Sequence, residues 1–377
     1  MSELTPMIKL EDYRDHQNIA WSDLRLLKES PLKFWTAKYD HAPFEKHVSS
    51  GYHMGDLVDC QILTPDMFDS QYVLRPDFKT PSNVKHKAVV EDWIAETGPE
   101  GNMAPTKGLA GLIYQRHYVT DKKSPEKIVE EAWALLKQYE DYIDFTVKLG
   151  GRTAYSPKDQ AILNYVTASL DHSKVTRSWF FDDSRWSESH NQFPLLVDIV
   201  VGGGVYSGKG LVDRLCIDDE AQEIWIIDLK TTSRPMNHIP WMIAKYQYHK
   251  QLWYYGWLAW HMLLQQGRIT DEMGSDWKLR FGVAFVQTVD MYEVYPIELK
   301  GSILEEAQND VMELVLDFMW YSDTDAGHHF GAPRILQENN GLLPLDSWDL
   351  LTNSDLSGTN DSEESSDEAI LESFNDD

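Results

Sequence analysis

Cysteine is nearly absent from this chain: Cys60 and Cys216 are the only two in 377 residues. Two thiols cannot form a disulfide framework, and they fit a reducing cytosol. Long apolar runs are missing as well. The most apolar stretch, Leu252–Leu264, is short and broken by Trp, His and Gly. It reads as a buried helix rather than a membrane span. Met1–Gln17 is polar and charged, without the apolar core of a signal peptide. Positive charge is scarce: 34 Lys and Arg stand against 61 Asp and Glu, for a net charge of −27. That balance argues against a protein that coats nucleic acid through bulk charge. No internal repeat is visible, which argues against a solenoid.

What the chain has in quantity is apolar and aromatic mass. Hydrophobic residues make up 42%, with 14 Trp, 18 Tyr and 13 Phe, enough for a substantial core. Part of the negative charge is local. Asn353–Asp377 holds nine Asp and Glu and no Lys or Arg, and it is rich in Ser and Asn. A disordered acidic tail is expected there, following a single domain over 1–352.

The most informative stretch is Gly210–Thr232, GLVDRLCIDDEAQEIWIIDLKTT. Leu211–Ile217 and Glu223–Thr232 are apolar and β-branched, and Asp218–Gln222 between them is turn-like, so the pattern is that of a β-hairpin. If the hairpin closes about Glu220 and Ala221, Asp213 sits opposite Asp228 on one face, with Cβ atoms about 5 Å apart. Residues two apart share a face, so Lys230 points the same way as Asp228. Facing carboxylates destabilise a sheet unless a cation lies between them. A hard divalent ion with oxygen ligands, Mg²⁺ or Mn²⁺, meets that need, with Lys230 at the margin. The bland alternative is a surface hairpin with solvated charges. Against it, Asp228 and Lys230 interrupt an otherwise apolar strand, where unpaired charge is costly.

Asp213…Asp228-Leu229-Lys230 resembles the core motif of the PD-(D/E)XK nucleases. Downstream, in YHKQLWYYGWLAWHMLL, Gln251 and Tyr255 stand four apart on one helix face and resemble the Q-x-x-x-Y helix of the RecB-like branch. Upstream, Ser22-Asp23-Leu24, Ser30-Pro31 and then Gly55, Leu63, Pro65 and Phe68 follow the order of the N-terminal half of exonuclease VIII (RecE-type) nucleases. The position matching that family's metal-binding His is Asp59, itself a competent oxygen ligand; a helix-surface Asp beside Asp56 is the other reading. The family's upstream glutamate has no clear counterpart. Glu188 and the better-matched but neutral Gln192 are the candidates. The two cysteines leave no room for the four-cysteine iron–sulfur cluster of some RecB-like nucleases.

The resemblance runs from Asp12 to Phe330 in order of elements. It implies an α/β (α+β) fold, a central mixed β-sheet flanked by helices, with a mainly helical part over 1–180 and a catalytic core over 181–330. It implies Asp59, Asp213, Asp228 and the Leu229 carbonyl as ligands of Mg²⁺ or Mn²⁺, Lys230 as the residue acting on water or phosphate, and Gln251 and Tyr255 as positioning groups. Buried core polarity is the alternative for those last two. The activity implied is a DNA exonuclease working 5′ to 3′ on duplex DNA, of phage type and in the cytoplasm. Its implied partners are an annealing protein for the 3′ strand and further copies of itself in a ring; no membrane is implied. A nuclease-fold protein that binds without cutting, or an endonuclease or single-strand nuclease on the same core, stays open.

Elsewhere, Ile19–Trp35 reads as helical with a cap at Ser22 and a new turn at Ser30-Pro31, and Gly55–Phe68 as a second helix ending near Thr64-Pro65. Arg75–Lys107 reads as an irregular connection whose Lys79, Lys85 and Lys87 are either solvated or line a DNA path. Ser124–Leu149 reads as one long amphipathic helix and Ser156–Asp171 as another. Gln192–Val201, Lys278–Val289 and Tyr292–Leu299 read as strands, and Ile303–Tyr321 as a helix. Deleting Asn353–Asp377 is expected to shift the thermal midpoint by less than about 2 °C. A large loss on thermal melting contradicts the reading of the tail as unfolded.

Overall fold

A computed structural model of the chain describes residues 4, 6, 8–40, 50–119, 122–270 and 276–339. The acidic segment 353–377 lies outside the described residues. The chain divides into two compact units. The first, Met1–Ala20, Glu45–Ile199 and Ser207–Val311, contains the hairpin; the second is Trp21–Phe44, Val200–Tyr206 and Met312–Asp377.

A short parallel pair, β1 (Tyr72–Leu74) and β2 (Thr153–Tyr155), stands apart from a five-stranded mixed sheet. The sheet is β3 (Glu188–Val201), β4 (Gly204–Asp218), β5 (Glu223–Thr232), β6 (Lys278–Gln287) and β7 (Val294–Leu299), in that order. β4 and β5 are antiparallel, as are β6 and β7, whereas β5 and β6 run parallel. A parallel pair needs a crossover, and the helices Ile239–Tyr246 and Tyr248–Gln265 supply it.

Both faces of the central strands are covered, which is why β5 and β6 are apolar almost throughout. On one face Leu57, Val58, Leu163, Val166, Leu170 and Trp179 pack with Ile227, Leu229, Ala284 and Val286. They come from the helices Ser50–Leu63, Pro157–His172 and Lys174–Phe180. On the other face the Tyr248–Gln265 helix lies against β5 and β6. Its approach is close because Gly256 has no side chain: a Cβ there would meet Phe281 Cε1 at 2.5 Å.

The helices Val84–Thr97, Lys107–His117, Pro125–Gln138 and Glu140–Lys148 form their own core around Val90, Ala110, Ile113, Ala132 and Ile143. Two expectations fail here. Arg75–Lys107 is not merely irregular: Asn83 caps a helix by accepting from the Lys85 and His86 N–H groups, and Val89, Val90 and Trp93 are buried on it. Lys79 and Lys85 lie over the rings of Tyr139 and Tyr118, and Lys87 pairs with Glu91 at 3.8 Å. Nor is Ser124–Leu149 one helix. It breaks at Tyr139 (φ −116°, ψ 20°), which is buried and hydrogen-bonded to His86 Nδ1 at 2.9 Å. Where the signals are strong they hold: Ser156 and Asp159 form a capping box at the helix they announce.

In the second unit, Trp21–Glu29 and Pro31–Lys38 are helices joined at Ser30, whose hydroxyl accepts from the Lys33 N–H. Ser22 lies inside the first of them rather than capping it. Phe34 meets Phe318 edge-on at 5.9 Å, and Lys38 pairs with Asp23 at 2.8 Å.

Gly256 sets a sharp test of the packing. Gly→Ala inside a helix ordinarily stabilises by about 1 kcal/mol. Against Phe281 the added methyl is expected to reverse the sign, for a net loss of about 1–3 kcal/mol. A lower urea midpoint at unchanged slope reads this out, and a gain in stability contradicts the close approach.

Candidate active site

The β4–β5 ladder pairs Asp218 with Glu223 and continues to Arg214 with Ile227. That is the register in which Asp213 faces Asp228. The ladder stops at this point, although β5 stays paired with β6 as far as Thr232 and Gln287. The Leu229 N–H, which would otherwise meet a β4 carbonyl, is taken by Asp213 Oδ2 at 3.1 Å. A residue's N–H and C=O leave a strand on the same edge, so the Leu229 carbonyl faces this opening too.

Lys230 lies between the carboxylates, with Nζ 2.6 Å from Asp228 Oδ2 and 3.9 Å from Asp213 Oδ2. The closer contact is an ion pair without hydrogen-bond alignment, and Asp228 Oδ2 is buried with no hydrogen-bond donor among the described residues. Asp59, on the Ser50–Leu63 helix, feels the charges of Asp213, Lys230 and Asp228; Gly55 lets that helix approach Thr231, where a Cβ would lie 3.2 Å from Oγ1. Burial, and then the charge of Asp213, push the Asp59 carboxyl up to about 8 against the pull of Lys230. Burial lifts Asp228 to about 7, Lys230 opposing and Asp213 adding to the shift. Burial alone would favour neutral Lys230, but Asp228 and Asp213 outweigh it and raise its pKa, so the ammonium stays charged.

Gln251 and Tyr255 stand on the Tyr248–Gln265 helix, Gln251 Nε2 donating to Tyr255 Oη at 3.0 Å. Burial raises the Tyr255 phenol to about 12, with Gln251 working the other way. The helix also supplies Tyr248, whose ring centre lies 5.4 Å from Lys230 Nζ. Sequence reasoning missed Tyr248, yet 248, 251 and 255 follow the i, i+3, i+7 spacing of one helix face.

Of the two upstream candidates, Gln192 is the one that contacts Asp213. Gln192 Nε2 lies 3.4 Å from Asp213 Oδ1, on a residue held at φ 47°. Glu188 is engaged elsewhere, with the Leu4 N–H at 2.6 Å, His190 at 2.7 Å and Arg268 at 3.8 Å. A neutral amide therefore stands beside the carboxylates.

The sequence matches the profile of the PD-(D/E)XK nuclease superfamily over residues 110–323, more than half of the chain. The chain belongs to the PD-(D/E)XK nuclease superfamily. Among solved structures, it is similar to a candidate exonuclease from Eubacterium rectale at 13% identity and a TM-score of 0.29, over 74% of this chain and 100% of that one. It is similar to the protein SSO0001 at 15% identity and a TM-score of 0.22, over 61% and 84%. Scores this low carry no further argument. No curated protein matches the chain.

Members of this superfamily generally use a divalent metal such as Mg²⁺ or Mn²⁺. Among the described residues no three His, Cys, Asp or Glu side chains are grouped tightly enough to enclose an ion. The donor chemistry fits one all the same. Asp59, Asp213 and Asp228 are hard oxygen donors, Asp228 Oδ2 is buried without a donor, and the pair already holds the Lys230 cation between them.

These pKa shifts have a sign that can be tested. With Asp228 and Asp59 at about 7 and about 8 in the fold, the folded chain binds more protons than the unfolded one from about pH 4 upward. Their contribution to stability falls as pH rises through that window, and the full cost is present above about pH 8. A cation that binds the charged forms opposes this. Mn²⁺ is therefore expected to raise the thermal midpoint at pH 8 and much less at about pH 5.5, where protons compete for the same oxygens. Equal stabilisation at both pH values contradicts the assignment.

Proposed function

We propose that this chain is a metal-dependent deoxyribonuclease, and that it acts as an exonuclease on duplex DNA. The observation that supports it most is the pair Asp213 and Asp228 facing each other where the β4–β5 ladder ends, with charged Lys230 between them. In this reading Asp59, Asp213, Asp228 and the Leu229 carbonyl hold Mg²⁺ or Mn²⁺. When bound, such an ion lowers the pKa of a coordinated water and stabilises charge on the scissile phosphate.

The chain's own residues supply the rest. Lys230, held protonated by its carboxylates, donates to the phosphate oxygens or orients the attacking water, where its charge offsets what develops in the transition state. Tyr248 flanks the ammonium and limits its motion. Tyr255 fills the space that Gly210 leaves open, a Cβ at that glycine meeting its ring at 2.9 Å, and so keeps the Gln251–Tyr255 pair in place beside β4. Digestion from a 5′ end, supply of single strands to an annealing protein and assembly into a ring are the finer parts of this proposal, and the RecE-type resemblance supports them. A second reading, a nuclease-fold protein that binds DNA without cutting it, draws on Gln192: a neutral amide contacts Asp213 where the family has an acidic ligand.

Metal binding and chemistry separate within β5. Asp228→Ala is expected to lose both Mn²⁺ binding by calorimetry and all cleavage, since a hard cation loses a charged ligand. Asp213→Asn follows it. Lys230→Ala is expected to keep or tighten Mn²⁺ binding while the rate falls about 10³-fold. End-labelled linear and closed circular DNA give the mode of attack: linear DNA shortens from its ends and circles survive. Full activity in Lys230→Ala removes this active-site assignment. A wild type that cuts no DNA with Mg²⁺ leaves the binding reading in its place.

A further inference from the structure

Between Lys230 and Thr270 the chain has no Asp or Glu, although 61 of its 377 residues are acidic. Two of the cations in this interval, Lys250 and Arg268, are matched by Asp310 and Asp219 from outside it. Others meet aromatic rings. Lys245 Nζ lies 4.8 Å from the Trp241 ring centre and 5.8 Å from that of Tyr246, and the Arg234 guanidinium is 5.0 Å from Trp241. Trp241 is 44% exposed and Tyr246 36%. Tyr246 packs against Tyr248 at 5.6 Å, and Tyr248 carries Lys230 at 5.4 Å. The rings form an unbroken track from Lys230 to the exposed indole.

We propose that this track binds unpaired nucleotides of a DNA strand next to the site of cleavage, Trp241 and Tyr246 stacking on bases while Lys245 meets phosphates. The proposal rests on the nuclease reading above. Each nucleotide carries both a π-face and a negative charge, and this surface offers rings and cations alternately, the combination by which single strands are held without sequence preference. Duplex interiors hide their base faces, so the match is to an unpaired strand. Charge points the same way. A chain at −27 cannot hold DNA through its overall field, so grip has to come from a local stretch of chain that contributes no carboxylate of its own, where stacking adds to the electrostatics. A cation–π cluster kept only for stability has no reason to leave its indole 44% exposed or to connect with Lys230.

The test is anisotropy of a labelled oligonucleotide in chelator, so that nothing is cut, with circular dichroism to confirm folding. Trp241→Ala is expected to weaken single-strand binding about 5- to 100-fold, and Trp241→Phe to restore most of it. Lys245→Gln is expected to lower the slope of log affinity against log salt by about one. Binding of a blunt duplex changes less than about twofold in Trp241→Ala, since its stacked bases make little use of an indole platform. Unchanged single-strand affinity in Trp241→Ala overturns the proposal, as does an equal loss on blunt duplex. A wild type that binds single strands through Trp241 but cuts no DNA with Mg²⁺ supports the platform and removes the nuclease reading. A wild type that cuts DNA while Trp241→Ala binds and cuts as well does the reverse.

Discussion

Two carboxylates facing each other across an antiparallel pair are a liability, and the organisation of this protein follows from how that liability is held. Asp213 and Asp228 occupy facing positions where β4 and β5 cease to pair, with Lys230 drawn to within 2.6 Å of Asp228. Facing like charges repel strongly in a buried setting. The raised pKa values of Asp228 and Asp59 reflect desolvation by burial first and that repulsion second. The surrounding structure resists it. β5 is fixed to β6 along its whole length, Asp213 is tied to the Leu229 N–H, and helices cover both faces of the central strands. In the structure the cation that offsets this charge is the Lys230 ammonium.

The same economy of positive charge extends outward from the site. The chain carries an acid excess of 27, yet the interval that runs from Lys230 through the crossover helices carries none of it. Local composition, not net charge, therefore decides what the neighbourhood of the site can hold. An acidic body also limits non-specific binding and makes any DNA contact strongly salt-dependent.

Much of the core was legible from residues because the signals were local. The β4–β5 register followed from two β-branched runs around an acidic turn, and the structure pairs those strands in that register. Once the register is known, the meeting of Asp213, Asp228 and Lys230 requires only the two-residue period of a strand. Tyr248 was equally accessible through its spacing from Gln251 and Tyr255 but carried no motif to draw attention. Gln192 was not decidable against Glu188, because its left-handed backbone is not announced by the Gly or Asn that usually marks one. The helix at Val84–Thr97 was hidden by the Pro, Lys and Gly around it, although Val89, Val90 and Trp93 already carried its buried stripe. The break at Tyr139 has no sequence mark, since it depends on tertiary burial and on His86 far away in the chain.

We propose that Lys230 fills a place between carboxylates that a divalent cation takes when available. Anomalous diffraction from crystals grown with Mn²⁺ addresses it most directly. The expected result is a manganese peak coordinated by Asp213 and Asp228, with Lys230 Nζ moved away from Asp228 Oδ2. Manganese bound elsewhere, with Lys230 still 2.6 Å from Asp228, would contradict it.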